Sequence, residues 1–294
     1  MIPNNMMNCL QSVLYKICTI ENVPVDSILI SHFSVKYNTQ SDTLQEYCII
    51  PNEELIKSYL GLDYYKIDII ENLITILNAD NGYIVVMSDA YECKWTPGYK
   101  RVHNKHFFII KKIIQEQKLR VFFSDPYYGI DDSFSCRSYH DLQQIMKIIF
   151  YFKNVHNYRT FSVQQYQETL RNSLSINIIN REYQKFIEYI ETSQFMDKLT
   201  DQNNINNNGM ILDINDIIKM YKGIFLYLDS NYSRPNVSNF IANNIENYNH
   251  LKLFLMKRIL SGNKDVNFNN KMKESIHRIC VNDCNYFKLI TQNI

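Results

Sequence analysis

Residues 106–125 read HFFIIKKIIQEQKLRVFFSD, and their pattern decides the fold class. Two apolar runs of strand length, His106–Lys111 and Leu119–Ser124, flank the polar stretch Gln115–Lys118. β-Branched and aromatic residues on both sides of a short polar link predict an antiparallel hairpin. Asp125-Pro126 closes the second run, because proline has no N–H with which to continue a central ladder. A third strand-like run, Tyr83–Met87, follows the turn signal Asn81-Gly82. Upstream, residues 9–20 carry Leu10, Val13, Leu14 and Ile17 at the spacing of one helix face, with Asn8 suited to the N-cap. Residues 53–60 and 66–78 also read as helices, the second through Ile69, Ile70, Leu73, Ile74 and Leu77. Helices followed by an antiparallel sheet make the first half an α+β arrangement.

From about residue 138 the pattern turns helical, over Glu168–Leu174, Arg181–Phe195, Ile214–Leu228, Val237–Leu260 and Met272–Leu289. The low-complexity stretch Asp201–Gly209 (DQNNINNNG) reads as a flexible loop, and Ser233-Arg234-Pro235 as a helix start. No internal repeat is evident. The expected division is an α+β domain over residues 1–137 and a helical domain over 138–294.

The 294 residues are 46% hydrophobic and 21% charged, the profile of a globular protein with a sizeable core. The formal net charge of +1 gives no electrostatic reason to expect nucleic acid or an anionic membrane as partner. The opening MIPNNMMNCLQSV lacks the basic start and apolar run of a signal peptide. No apolar stretch approaches the roughly eighteen residues of a membrane span; the longest clusters, such as Ile148–Phe152, are core-sized. Seven cysteines at irregular spacing, without a secretion signal, predict reduced thiols and a cytoplasmic location.

A cysteine nucleophile needs a favoured thiolate, a base within hydrogen-bond reach and a third group that orients the base. Cys9 opens the first helix, where the partial positive charge and unsatisfied N–H groups favour a thiolate and can also hold an oxyanion. His106 opens the first hairpin strand and Asp125 closes the second. An antiparallel hairpin returns the chain to its starting end, so the two side chains can share one end of the sheet. Cysteine on an early helix, then histidine and Asp on successive strands, is the order of papain-like folds. Residues 1–137 are thus the expected papain-like catalytic domain.

The order Asn8-Cys9, then HFFII, then VFFSDP is similar to that of bacteriocin-leader-processing cysteine peptidases. Adding Asp89-Ala90-Tyr91, Pro97-Gly98-Tyr99 and His103-Asn104-Lys105-His106-Phe107, the chain resembles the N-terminal domain family of butirosin biosynthesis protein H. The motif-bearing part spans roughly residues 8–130. The resemblance implies an acyltransferase that takes an acyl group from an acyl or peptidyl carrier-protein thioester onto Cys9. It would pass that group to a small-molecule amine, forming an amide in an antibiotic or other specialised metabolite, of nonribosomal-peptide or polythioamide type. His106 would be general base and acid and Asp125 the orienter, with no cofactor and no metal. Hydrolysis of a peptide or amide by the same acyl-enzyme is the alternative. The leader peptidases carry an oxyanion-binding Gln about six residues before the cysteine, where this chain has Pro3-Asn4-Asn5. Asn4, Asn5 and Asn8 are the candidates to replace it.

Other residues weigh less. Asp89 also ends a strand and rivals Asp125 as orienter, and His103 is the runner-up to His106. Tyr91, Trp95 and Tyr99, with Asp89 and His103, are candidates to line a substrate pocket. Cys280, Cys284 and His277 hint at a metal on one helix, but zinc needs about four ligands and no second cluster accompanies them.

Overall fold

The computed structural model of the protein describes residues 7–39, 43–50, 52–68, 73–79, 82–101, 103–154, 158–159, 162–192, 195, 209–231, 235–261 and 267–291. Among these, the 106–125 stretch forms the hairpin of β5 (Lys105–Gln115) and β6 (Leu119–Asp125), paired antiparallel from Ile109↔Ser124 to Gln115↔Leu119. β5 runs four residues beyond the expected Lys111 because a bulge between Ile110 and Lys112 resets its phase. Both lysines of Lys111-Lys112 then face solvent while Ile113 returns to the core.

The hairpin is the inner part of a six-stranded antiparallel sheet of order β3-β8-β4-β5-β6-β7. The remaining strands are β3 (Leu62–Ile67), β4 (Tyr83–Asp89), β7 (Ile130–Cys136) and β8 (Ile148–Asn154). Val86, Phe108, Ile110, Val121, Phe123 and Ile149 lie at the centre of its hydrophobic core. Helix α1 (Cys9–Ile20) packs against β5. Gly82, immediately before β4, is closely packed: a Cβ there would overlap the Tyr151 ring of β8.

Several local expectations change. Lys66 and Ile67 end a strand, and the helix expected over 66–78 is confined to Leu73–Ala79; positions 69–72, with Ile69 and Ile70, lie outside the described residues. Residues 53–60 form a short helix, Asn52–Glu54, continued by a π-helical turn, Leu55–Tyr59. Ile148–Phe152 forms the first five residues of β8. A continuous apolar run has no alternation to distinguish a twice-flanked strand from a buried helix segment. The hairpin of β1 (His32–Asn38) and β2 (Thr43–Cys48) has no counterpart in the sequence reading.

The chain divides into two units, Met1–Ile28 with Asn52–Thr160, and Leu29–Pro51 with Phe161–Ile294. The expected boundary at 137/138 falls inside the first unit, because β8 pairs with β3 and β4. Among the described residues the second unit is helical apart from β1 and β2, which pack on its helices. Those helices are Val163–Ser173, Ile176–Ile190, Gly209–Asn231, Pro235–Ser261 and Phe268–Thr291. The expected loop Asp201–Gly209 lies outside the described residues except for Gly209, which begins a helix, and only Pro235 of Ser233-Arg234-Pro235 is described. The protein is therefore mixed α+β, with antiparallel sheets and a helical C-terminal half. No helix among the described residues is long and apolar enough to cross a membrane.

Candidate active site

Antiparallel pairing carries the start of β5 and the end of β6 to one end of the sheet, and there His106 Nε2 meets Asp125 Oδ2 at 2.6 Å. The pair is almost wholly buried, with side chains 4% and 0% exposed. The indole Nε1–H of Trp95 donates to the same Oδ2 at 2.9 Å, and the Tyr128 N–H donates to Oδ1 at 3.3 Å. A carboxylate only accepts, so in this bond the Nε2–H is the donor, which leaves Nδ1 as the ring's acceptor nitrogen. The Tyr127 and Tyr128 rings flank the imidazole, with centroids 6.3 and 5.4 Å away.

Cys9 is the first residue of α1 and its thiol is half-buried. Asn8 caps the helix: its Oδ1 accepts from the Gln11 N–H at 2.9 Å, while Gln11 Oε1 accepts from the Asn8 N–H at 3.0 Å. Gln11 is anchored in turn, donating from Nε2 to the Ile28 carbonyl at 2.9 Å. This reciprocal cap fixes the angle at which the helix presents Cys9. The thiol lies 3.7 Å from the carbonyl oxygen of Lys105, the residue immediately before His106. A weak S–H donor at that distance locates the sulfur without holding it tightly. Asn8 thus has its side-chain oxygen committed to the cap; Asn4 and Asn5 lie outside the described residues.

Asp89 engages the other histidine. Its Oδ2 lies 2.7 Å from His103 Nδ1, and its Oδ1 accepts from the N–H groups of Tyr91 and Asn104 at 3.0 and 3.2 Å. Burial works against its charge, but the His103 bond and the two backbone donors outweigh that and hold the carboxyl below its usual range. Register explains the separation: Ser88 stands opposite His106, and Asp89 opposite Lys105. One step along a strand turns a side chain to the other face of the sheet. His103 is exposed and stacks on Tyr91 with centroids 4.2 Å apart, and Lys100 Nζ lies over the Tyr91 and Tyr99 rings at 4.5 and 5.5 Å. Trp95 joins the core, 4.1 Å from Phe123 and edge-on to Phe108 at 5.2 Å.

The features that sequence reading missed are the Trp95 N–H on Asp125, the Lys105 carbonyl beside Cys9, and the Tyr127-Tyr128 pair. The string SDPYYG contained the two rings, but nothing in it says that the turn folds them over the histidine. Among the other thiols, burial pushes Cys18 and Cys93 up to about 12 and Cys136 to about 11, which makes them poor nucleophiles at neutral pH. In the helical unit a hydrogen bond between Cys280 and Cys284 holds the Cys284 thiol down and the Cys280 thiol up. Among the described residues, no group of three or more His, Cys, Asp or Glu side chains is arranged to hold a metal ion.

A thiol at a capped helix start, beside a strand carrying an imidazole anchored by a buried carboxylate, is equipped for nucleophilic acyl chemistry. No protein-family model matches the chain, and no curated protein matches it.

Proposed function

We propose that the chain is a cysteine-dependent acyltransferase, using a papain-like domain to move an acyl group from a carrier-protein thioester to an amine. The observation that carries the reading is the buried His106–Asp125 pair at 2.6 Å, one residue from the carbonyl touched by the Cys9 thiol. A leading helix packed on the histidine-bearing strand of an antiparallel sheet supports the papain-like assignment.

In this mechanism His106 Nδ1 takes the Cys9 proton and the thiolate attacks the thioester carbonyl. The resulting oxyanion is held by N–H groups at the α1 start. Collapse expels the carrier thiolate, which His106 protonates, and leaves an acyl-Cys9 thioester of nearly the same energy. An amine then attacks, His106 removes its proton, and the Cys9 sulfur departs as the amide forms. Asp125 keeps the ring oriented and stabilises the imidazolium in both halves, as a buried carboxylate partner does. The resemblance of the 89–106 string to the butirosin protein H family supports an amine over water as acceptor, and the synthesis of an antibiotic or related metabolite as the setting.

Intact-protein mass spectrometry after incubation with acyl-loaded carrier protein, or a simple acyl thioester, tests this. The expected result is one acyl adduct on Cys9, absent in Cys9→Ala and discharged by an added amine. Failure of every thioester to acylate the protein, with cleavage of a peptide instead, would make it a hydrolase.

A further inference from the structure

The helix Phe268–Thr291 carries two cysteines one turn apart, Cys280 and Cys284. Residues four apart lie on one helix face, so the two thiols converge. Both reach the same oxygen, Asn180 Oδ1 of the helix Ile176–Ile190, from 3.2 Å for Cys280 and 3.4 Å for Cys284. Neither is in a disulfide. They form part of the wall of an open groove of about 400 Å³, lined also by His277 and Lys288. Core thiols ordinarily pack as separate small apolar groups. Here two soft donors, both largely buried, meet at one oxygen on the wall of a groove.

The donor count selects the ion. A closed zinc site needs about four ligands, and no group of three or more suitable side chains exists among the described residues. A soft monovalent d¹⁰ ion prefers thiolates and is satisfied by two of them. We propose that Cys280 and Cys284 form a two-thiolate site for Cu(I). Binding exchanges the two thiol protons for one Cu(I), leaving a complex with one net negative charge and no change of oxidation state. The Lys288 ammonium at the groove offsets that charge. The Asn180 amide, an acceptor towards the thiols, turns to offer its Nδ2–H to the sulfurs once their protons are gone. The site is independent of the chemistry proposed for Cys9.

The test uses the full chain, reduced and anaerobic, titrated with Cu(I) in competition with a chromophoric Cu(I) chelator. One equivalent is retained, with thiolate-to-copper absorption in the ultraviolet. Retention persists in Cys9→Ala, is lost in Cys280→Ser and in Cys284→Ser, and weakens about tenfold in Asn180→Ala, as loss of a supporting hydrogen bond does. Because the serine variants can disturb helix packing, the unsubstituted protein is also alkylated with and without Cu(I), and the protected cysteines are located by mass spectrometry. Failure of Cu(I) to protect Cys280 and Cys284 overturns the proposal, as does retention unchanged by the double serine variant. Equal or tighter binding of Zn(II) at the same pair overturns the choice of ion.

Discussion

Among the described residues, each of the two units completely buries one aspartate, Asp125 in the first and Asp283 in the second. Both carboxylates are met by several donors, but the donors differ in kind. Asp125 accepts from an imidazole, an indole and a backbone N–H. Asp283 accepts from Ser34 Oγ at 2.6 Å and Tyr183 OH at 2.7 Å, together with Tyr221 OH and Asn244 Nδ2. Burial raises Asp283 to about 6 and pushes Tyr183 and Tyr221 well above their ordinary value, so those hydroxyls stay protonated near neutrality. A buried carboxylate marks a site for chemistry when one of its donors can itself carry a proton in and out. When all its donors are neutral and fixed, it fastens a core.

The largest effect that could break this contrast is on rate. His106→Ala and Asp125→Ala should each slow acylation of Cys9 by about 10²–10⁴-fold, read in single-turnover mass spectrometry. Asp283→Ala should leave that rate unchanged in folded protein. Its cost falls on stability, on the order of 3 kcal/mol or more, because each orphaned buried donor costs about 1–3 kcal/mol; urea denaturation measures it. A slowed acylation in folded Asp283→Ala would erase the distinction between the two carboxylates.

Asp283 also predicts a pH signature. The folded state holds its proton up to about 6 against an ordinary value of 3.8, so across that interval the folded chain binds a proton that the unfolded chain has lost. The stability tied to that proton is full below the ordinary value and is lost as the pH climbs through about 6. Thermal unfolding followed across this interval should show the decline, and Asp283→Asn should flatten it.

A smaller loss is expected from Trp95→Phe, which keeps a ring among Phe108, Phe123 and Phe134 but removes the N–H on Asp125. A hydrogen bond to a charged group contributes about 1.5–3 kcal/mol. The variant should show a stability loss of that size, slower acylation and a displaced pH–rate profile. Loss of stability with an unchanged profile would reduce Trp95 to packing alone. The smallest effect belongs to the exposed pair: His103→Ala should cost under about 1 kcal/mol and leave Cys9 acylation intact, since solvent screens such pairs.

The parts legible from sequence were those set by near neighbours in the chain. The run 9–20 announced its helix through apolar spacing and a capping asparagine, and α1 begins at Cys9. The 106–125 stretch announced a hairpin, whose connectivity alone brings His106 and Asp125 to the same end. The choice between Asp89 and Asp125 was not legible, because it depends on β4–β5 register, in which Ser88 rather than Asp89 faces His106. β8 was hidden by its unbroken apolar run, and the β1–β2 hairpin by depending on helices more than a hundred residues away.

By itself, then, the sequence determined the leading helix, the central hairpin, the helical character of the second half and the order Cys9, His106, Asp125, all of which rest on local spacing and turn chemistry. Only the tertiary structure decided which carboxylate holds which histidine, that Trp95 serves Asp125 from the edge of the core, and that Leu29–Pro51 belongs with the C-terminal helices. Those outcomes depend on strand register and on burial between distant segments, and neither quantity has a local signature along the chain.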